Sequence, residues 1–189
     1  RQMCIRDRLQ PGTLLLSDPF LQDPNFARSV VLLCEHNEEG AVGFVVSKLS
    51  SWKMEDLLPE EFAERPFPVY EGGPVQPETI HFIHRIPHLI EDGVEILPGL
   101  FWGGNFEVLT QGIHDKIILP NDVRIFSGYS GWSEGQLEEE IKEKSWISRP
   151  ATMDLVFKEP IEQIWPLALR ELGGEYAMMP LYPIHPQLN

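Results

Sequence analysis

Cationic residues are scarce in this 189-residue chain: Lys and Arg number 15 against 29 Asp and Glu, a net charge of −14 at neutral pH. At that potential phosphate backbones and anionic lipid surfaces repel the chain, so direct nucleic-acid binding is disfavoured and no membrane association is expected. Cysteine is also sparse. Cys4 and Cys34 are too few for a disulfide framework or a paired-thiol metal motif, and they suit a reducing cytoplasm. No apolar run approaches bilayer-spanning length, and no apolar core follows the charges at the N-terminus, so neither a membrane helix nor a signal peptide is read. Repeats, low-complexity tracts and linkers are absent as well. What is present is a 42% apolar composition, enough for one sizeable core, and the expectation is a single cytoplasmic domain, monomeric by default.

Residues 1–8, RQMCIRDR, look foreign to the remainder, because MCIRDR is what a transposase adapter would encode if left on an assembled library end and translated. An artefactual segment 1–8, in which Cys4 carries no information, is therefore expected before a domain over 9–189.

Within that domain the strongest strand pattern is 29–36, SVVLLCEH. It is apolar on both faces, with Val30, Leu32 and Cys34 on one and Val31 and Leu33 on the other, which places it centrally in a sheet covered on both sides. The turn Asn37-Glu38-Glu39-Gly40 and the run 41–47 complete a hairpin. Shorter strand patterns occupy 12–16, 66–71 (flanked by proline and read as an edge), 79–86, 94–102 (bent at Pro98-Gly99) and 153–157. Residues 52–58 predict a short helix. Asn105 reads as the N-cap of another, with Phe106, Leu109 and Ile113 as its inner stripe. Ile161, Ile164, Trp165, Ala168, Leu169 and Leu172 outline a final helix in which Pro166 forces a kink or a late start, and 178–189 read as an extended tail. Strands and helices interleave irregularly, which favours α+β with a mixed or antiparallel sheet over a doubly wound one.

The stretch 125–146, IFSGYSGWSEGQLEEEIKEKSW, carries the most local detail. A strand at 122–128 runs into Gly128 and Gly131, whose spacing predicts a tight strand-to-helix turn around Tyr129 and Ser130. Ser133 with Gln136 reads as a capping box opening an acidic helix that turns Leu137 and Ile141 inward. On that helix Glu138 precedes Lys142 and Glu140 precedes Lys144 at i,i+4, favourable pairs on a solvated face, although both glutamates would also suit a basic partner.

Several segments occur together in order: LLLSDPFLQDPNFARSVVLLCEH, AVGFVVS, GGPV followed by FIH, LFWGGNFEVL and above all FSGYSGWSEGQLEEEI. Through them the chain resembles the AlgH/YqgE family of small bacterial proteins over about residues 9–172. The resemblance implies an α+β fold with a mixed, mostly antiparallel, strongly curved split sheet forming a partial barrel, helices packed outside. It brings a transcription-regulator label but no common reaction, cofactor or catalytic residue. The chain departs from the family twice: Ser47-Lys48-Leu49 stands where an Asn, a basic residue and Pro usually end the hairpin, and Ser130 stands where alanine is usual.

Gly128-Tyr129-Ser130-Gly131 is similar to a nucleophile elbow, but its second glycine comes one position early and the glycines already explain a turn. Cys34-Glu35-His36 invites a thiolate reading; on a strand, however, Cys34 and His36 share one face and Cys34 continues a buried apolar series. Glu35 and His36 at the hairpin mouth, with Arg28 and Ser29 at the strand's other end, could line a small cleft or satisfy loop backbone groups. His81, His84 and His88 cluster in sequence, yet alternation separates the first two and Pro87 blocks a helical pairing of His84 with His88, so no metal site is expected. The Gly72-Gly73 and Gly103-Gly104 pairs lack an adjacent cation for a phosphate and read as turns.

The chain therefore reads as a non-catalytic binding or regulatory protein without cofactor or metal, touching a protein or small-molecule partner and affecting transcription, if at all, through that partner. Contacts are expected among Arg28, Ser29, Glu35, His36, Tyr129, Trp132, Gln136 and Glu140. The competing reading is an enzyme with a cleft near Glu35, His36, Tyr129 and Trp132.

Overall fold

A computed structural model of the chain describes residues 8–62 and 67–184, with residue 61 by its backbone only. The expected foreign segment 1–8, apart from Arg8, lies outside the described residues, as do Pro66 and the end of the expected tail. The strands are β1 (Thr13–Ser17), β2 (Val30–Asn37), β3 (Gly40–Val45), β4 (Leu49–Lys53), β5 (Pro68–Glu71), β6 (Val75–His84), β7 (Val94–Leu97), β8 (Leu100–Trp102), β9 (Val123–Ser133) and β10 (Trp146–Pro150). They join in the order β10–β1–β2–β3–β9–β6–β8–β7, with β5 set against both β4 and β9. Only the β5–β9 pairing is parallel among the described strands, and the sheet curls through 245° into a half-barrel. The fold is mixed α+β, as expected.

The 11-residue β9 is shared by both halves of this sheet. Its first half runs from Val123 to Ser127 between β6 and β5, and its second half pairs Ser130–Ser133 with Gly43–Gly40 of β3. The change of partners falls at Gly128, which has φ +67°; a Cβ there would stand 2.6 Å from the Gly73 carbonyl oxygen and 3.0 Å from that of Val75. Only glycine allows both that backbone conformation and that approach. The strand-to-helix turn expected at Gly128–Gly131 is therefore corrected: the strand continues past both glycines, with a left-handed kink at Gly128, because β3 supplies ladder partners from Ser130 to Ser133. The turn comes at Glu134-Gly135, where Gly135 (φ +73°) precedes helix α4, Gln136–Lys142. The expected capping box survives in part, since Gln136 Oε1 accepts from the Ser133 amide (3.0 Å) and hydroxyl (3.2 Å), but the N-cap position is Gly135.

Two apolar clusters flank β2, whose alternating residues enter one or the other. Val30 and Leu32 join Leu14, Phe44, Phe126 and helix α6 (Ile164–Leu172); Val31 and Leu33 join Leu15, Val45, Trp132, Leu137 and Trp146. Each large side chain buried this way contributes about 1.5–3 kcal/mol, so burial on both faces anchors the hairpin. Ile164, Trp165, Ala168 and Leu169 form the inner stripe of α6, and Trp165 donates its indole N–H to Ser17 O at 2.9 Å. Pro166 lies in the first turn of α6, the late start expected of it, after a 3-10 turn at Ile161–Gln163. A third cluster packs α3 (Phe106–His114) over β6 and β9 through Leu109 and Ile113, with Asn105 Oδ1 capping Glu107 N and Val108 N; Phe106, expected in the stripe, is instead exposed.

Other expectations are corrected. Met153–Val156 is helix α5 and not a strand, because the Thr152 hydroxyl caps Leu155 N and a short apolar run carries no period of its own. Residues 146–150, read from the sequence without an element, form β10. The predicted helix 52–58 is split between β4 and α1 (Met54–Leu57), and α2 (Pro59–Phe62) follows it. β5 is not an edge strand, since β4 and β9 flank it. The expected tail begins inside a 3-10 helix, Gly174–Leu181, and of its described part only 182–184 lie beyond that helix. Among the described residues no helix is long and apolar enough to cross a membrane.

Candidate functional site

Helix α4 packs Leu137 inward, and 3.6-residue periodicity then turns Gln136, Glu140 and Glu143 towards the strands at either end of it. Glu140 Oε2 accepts the indole N–H of Trp132 (2.9 Å), at the end of β9, and of Trp146 (2.8 Å), at the start of β10. Its Oε1 accepts Gln136 Nε2 at 2.9 Å, and Gln136 is oriented for this by the Ser133 amide bonded to its oxygen. The Phe26 ring stands 5.4 Å from Trp146 and 6.5 Å from Trp132, and the two indoles meet edge to face at 6.1 Å. These groups, with Asp23 and Glu143, line an open recess of about 240 Å³. The expected Glu138–Lys142 and Glu140–Lys144 pairs do not form. Glu138 Oε1 lies 2.8 Å from His36 Nε2, Glu140 serves the indoles, and Lys142 pairs with Glu139 on the solvated side at 3.2 Å.

The other candidates lie elsewhere. A β-bulge between Leu33 and Glu35 breaks the alternation of β2. As a result Cys34 packs with Leu32 and Phe44 while His36 faces α4, correcting the expectation that the two share a face. Glu35 is exposed, accepts from Asn37 Nδ2 at 3.2 Å, and borders with Trp132 a shallow hollow of about 180 Å³. Tyr129 packs with the Phe44 cluster, its ring 5.8 Å from His81, on the face of β9 opposite Trp132. The cleft expected from Glu35, His36, Tyr129 and Trp132 is thus not assembled. Arg28 and Ser29 lie at the far end of β2, roughly 20 Å away by strand rise, where Arg28 meets the C-terminal segment and Ser29 the end of β1. Arg28 Nη2 donates to Tyr182 O (2.6 Å) and its guanidinium lies 5.0 Å from the Trp165 ring, while the buried Ser29 amide donates to Ser17 Oγ at 2.8 Å.

Three groups that the sequence singles out for chemistry, Cys34, Ser130 and His84, are buried. Burial pushes the Cys34 thiol far above its ordinary range. Ser130 is fully buried and donates its hydroxyl to Gly72 O at 3.0 Å, a structural bond and not an exposed nucleophile. Burial holds His81 and His84 below the usual histidine value. His84 accepts Ile86 N at Nδ1 and reaches Gly103 O with Nε2, which makes Nε2 the protonated nitrogen, whereas His81 Nε2 meets Thr79 Oγ1. Among the described residues no three of His, Cys, Asp and Glu stand close enough to hold a metal ion.

Of the residues at this recess the sequence points to Trp132, Gln136 and Glu140 but not to Asp23, Phe26 and Trp146, which a loop and a strand bring there. Nor does it point to a larger groove of about 710 Å³ lined by Ser50, Trp52, Glu71, Gly73, Pro74 and Ile80. The exposed Trp52 was its one available signal.

The AlgH-like family profile matches residues 14–177. A UPF0301 protein of Chlorobaculum tepidum is 44% identical over 181 residues, covering 96% of each chain, and one of Chlorobium limicola is 42% identical over 183 residues, covering 97% of each. The solution structure of the AlgH protein from Pseudomonas aeruginosa superposes with a TM-score of 0.71 at 29% identity, covering 98% of this chain and 99% of that one. A Corynebacterium diphtheriae crystal structure gives the same TM-score at 23% identity, covering 90% and 91%, and so shares the fold. With most of its length matched in sequence and in structure, this chain belongs to the AlgH-like, UPF0301 family.

Proposed function

We propose that this AlgH-like protein acts by binding, without catalysis of its own, and that it engages a protein or small-molecule partner at the recess beside α4. The observation that carries this reading is a recess with polar groups at its mouth. Gln136 and Glu143 are exposed there and Glu140 is half-buried, with the buried Trp132 and Trp146 in the lining, while the thiol of Cys34, the hydroxyl of Ser130 and the imidazole of His84 do not reach any such opening among the described residues. Aromatic and hydrogen-bonding groups held rigid at an opening are the usual makings of a recognition site. With a net charge of −14, any effect on transcription passes through the partner and not through DNA contact. The protein works as a cytoplasmic monomer in this reading.

Affinity capture tests it, using the wild type beside a Gln136→Ala/Glu143→Ala variant and an Arg170→Ala control on the distant α6, each checked by thermal melting. The expected result is a partner retained by wild type and control but lost by the recess variant. Identical captures from all three would sink the proposal.

A further inference from the structure

We infer that the recess beside α4 receives an organic cation of side-chain size, a guanidinium or alkylammonium headgroup. This rests on the reading that the recess is the contact site, and it names the chemistry of what enters.

The carboxylate of Glu140 is satisfied only by neutral donors, two indole N–H groups and one amide, so its charge is held in place but not compensated. Among the described residues neither Glu140, Glu143 nor Asp23 forms an ion pair, and no Lys, Arg or His lines the recess. The same opening is walled by Phe26, Trp132 and Trp146, and aromatic rings attract cations through the negative potential of their faces. Carboxylates combined with aromatic walls select the kind of cation. A magnesium or calcium ion needs a shell of oxygens that rings cannot supply. A guanidinium or alkylated ammonium is more weakly hydrated, stacks on rings and uses the carboxylates for charge. At about 240 Å³ the recess falls below the 300–1,000 Å³ or so of pockets for whole drug-sized ligands, and so fits a headgroup.

Titration of the whole protein with three probes, followed by tryptophan fluorescence and by calorimetry, tests the inference: capped arginine amide, tetramethylammonium, and capped citrulline amide as the neutral isostere. The two cations should bind and perturb the fluorescence, and citrulline should not. Asp23→Asn and Glu143→Gln, both at exposed positions that leave the indole bonds intact, should each weaken cation binding by about threefold, the loss of one near-surface charge. An arginine-containing peptide that binds more than about tenfold tighter than capped arginine would identify a protein segment as the source, and equal affinity a free amine. Citrulline binding as well as arginine, or cation binding untouched by the two substitutions together, would overturn the inference. If recess-dependent capture persists while no cation binds, the cation is wrong and the binding reading stands; if capture ignores the recess, both fall.

Discussion

Replacing Glu140 by alanine should cost about 1.5–3.5 kcal/mol of stability, a figure that follows from the bonds it removes. The indoles of Trp132 and Trp146 are only 7% and 4% exposed, and each directs its N–H to Glu140. A buried donor left without a partner costs about 1–3 kcal/mol, so two cost about 2–6. The recess admits water to this spot, which selects the lower half of that range. Relief of like-charge repulsion on α4 returns about 0.5 kcal/mol. For a chain of this length the result is a melting point lower by roughly 3–14 °C, read together with the urea midpoint. Glu140→Gln should fall between, because its carbonyl can serve the indoles only by turning its amide onto the Gln136 donor. A double-mutant cycle with Trp146→Phe should show about 1 kcal/mol of coupling, since the phenylalanine has no donor to strand. An alanine variant within about 0.5 kcal/mol of wild type would refute the view that this carboxylate holds β9, α4 and β10 together.

Gly128→Ala should destabilise by more than about 2 kcal/mol or prevent folding, because it adds a Cβ at φ +67° against the Gly73 oxygen; a urea midpoint near that of wild type would contradict the fold assigned there. Cys34 should resist alkylation in the native protein and react fully in denaturant, as peptide mass mapping would show, and rapid native labelling would contradict its burial. Burial lowers His81 and His84 from 6.5 in the folded state, so the unfolded chain takes up protons first: stability should be full above about pH 6.5 and decline as pH falls through that value towards the folded pKa values. Urea midpoints between pH 5 and 8 read this, His84→Gln should flatten the slope, and stability that rises on acidification would contradict it.

Much of the fold is legible in the sequence wherever one element's own residues decide it. β2 announces itself by apolar residues on both faces, α3 by the Asn105 cap, and α6 by its stripe and by Pro166. What could not be read depends on distant partners. Gly128 and Gly131 look like a turn until β3, some 90 residues earlier, is known to pair with Ser130–Ser133. Residues 153–157 look like a strand because five apolar-rich residues fit either period. In the site, Trp132, Gln136 and Glu140 lie within one stretch and were found together. Phe26 and Asp23 arrive from a loop more than 100 residues away, and the direction of Glu138 and Glu140 depends on which side of α4 meets the sheet.

β9 also sets a common register. In the strand order of the described residues the two halves of the sheet are joined through this strand, and β3, β5 and β6 all pair with it. A deletion of one residue in β9 would reverse the facing of every side chain on one side of the gap, turning either Phe126 or Trp132 out of its own cluster and onto the wrong face of the sheet. Length variation should therefore be tolerated in the loops around this strand but not within it, and the recess inherits its alignment from a strand whose other end lies in a different part of the core.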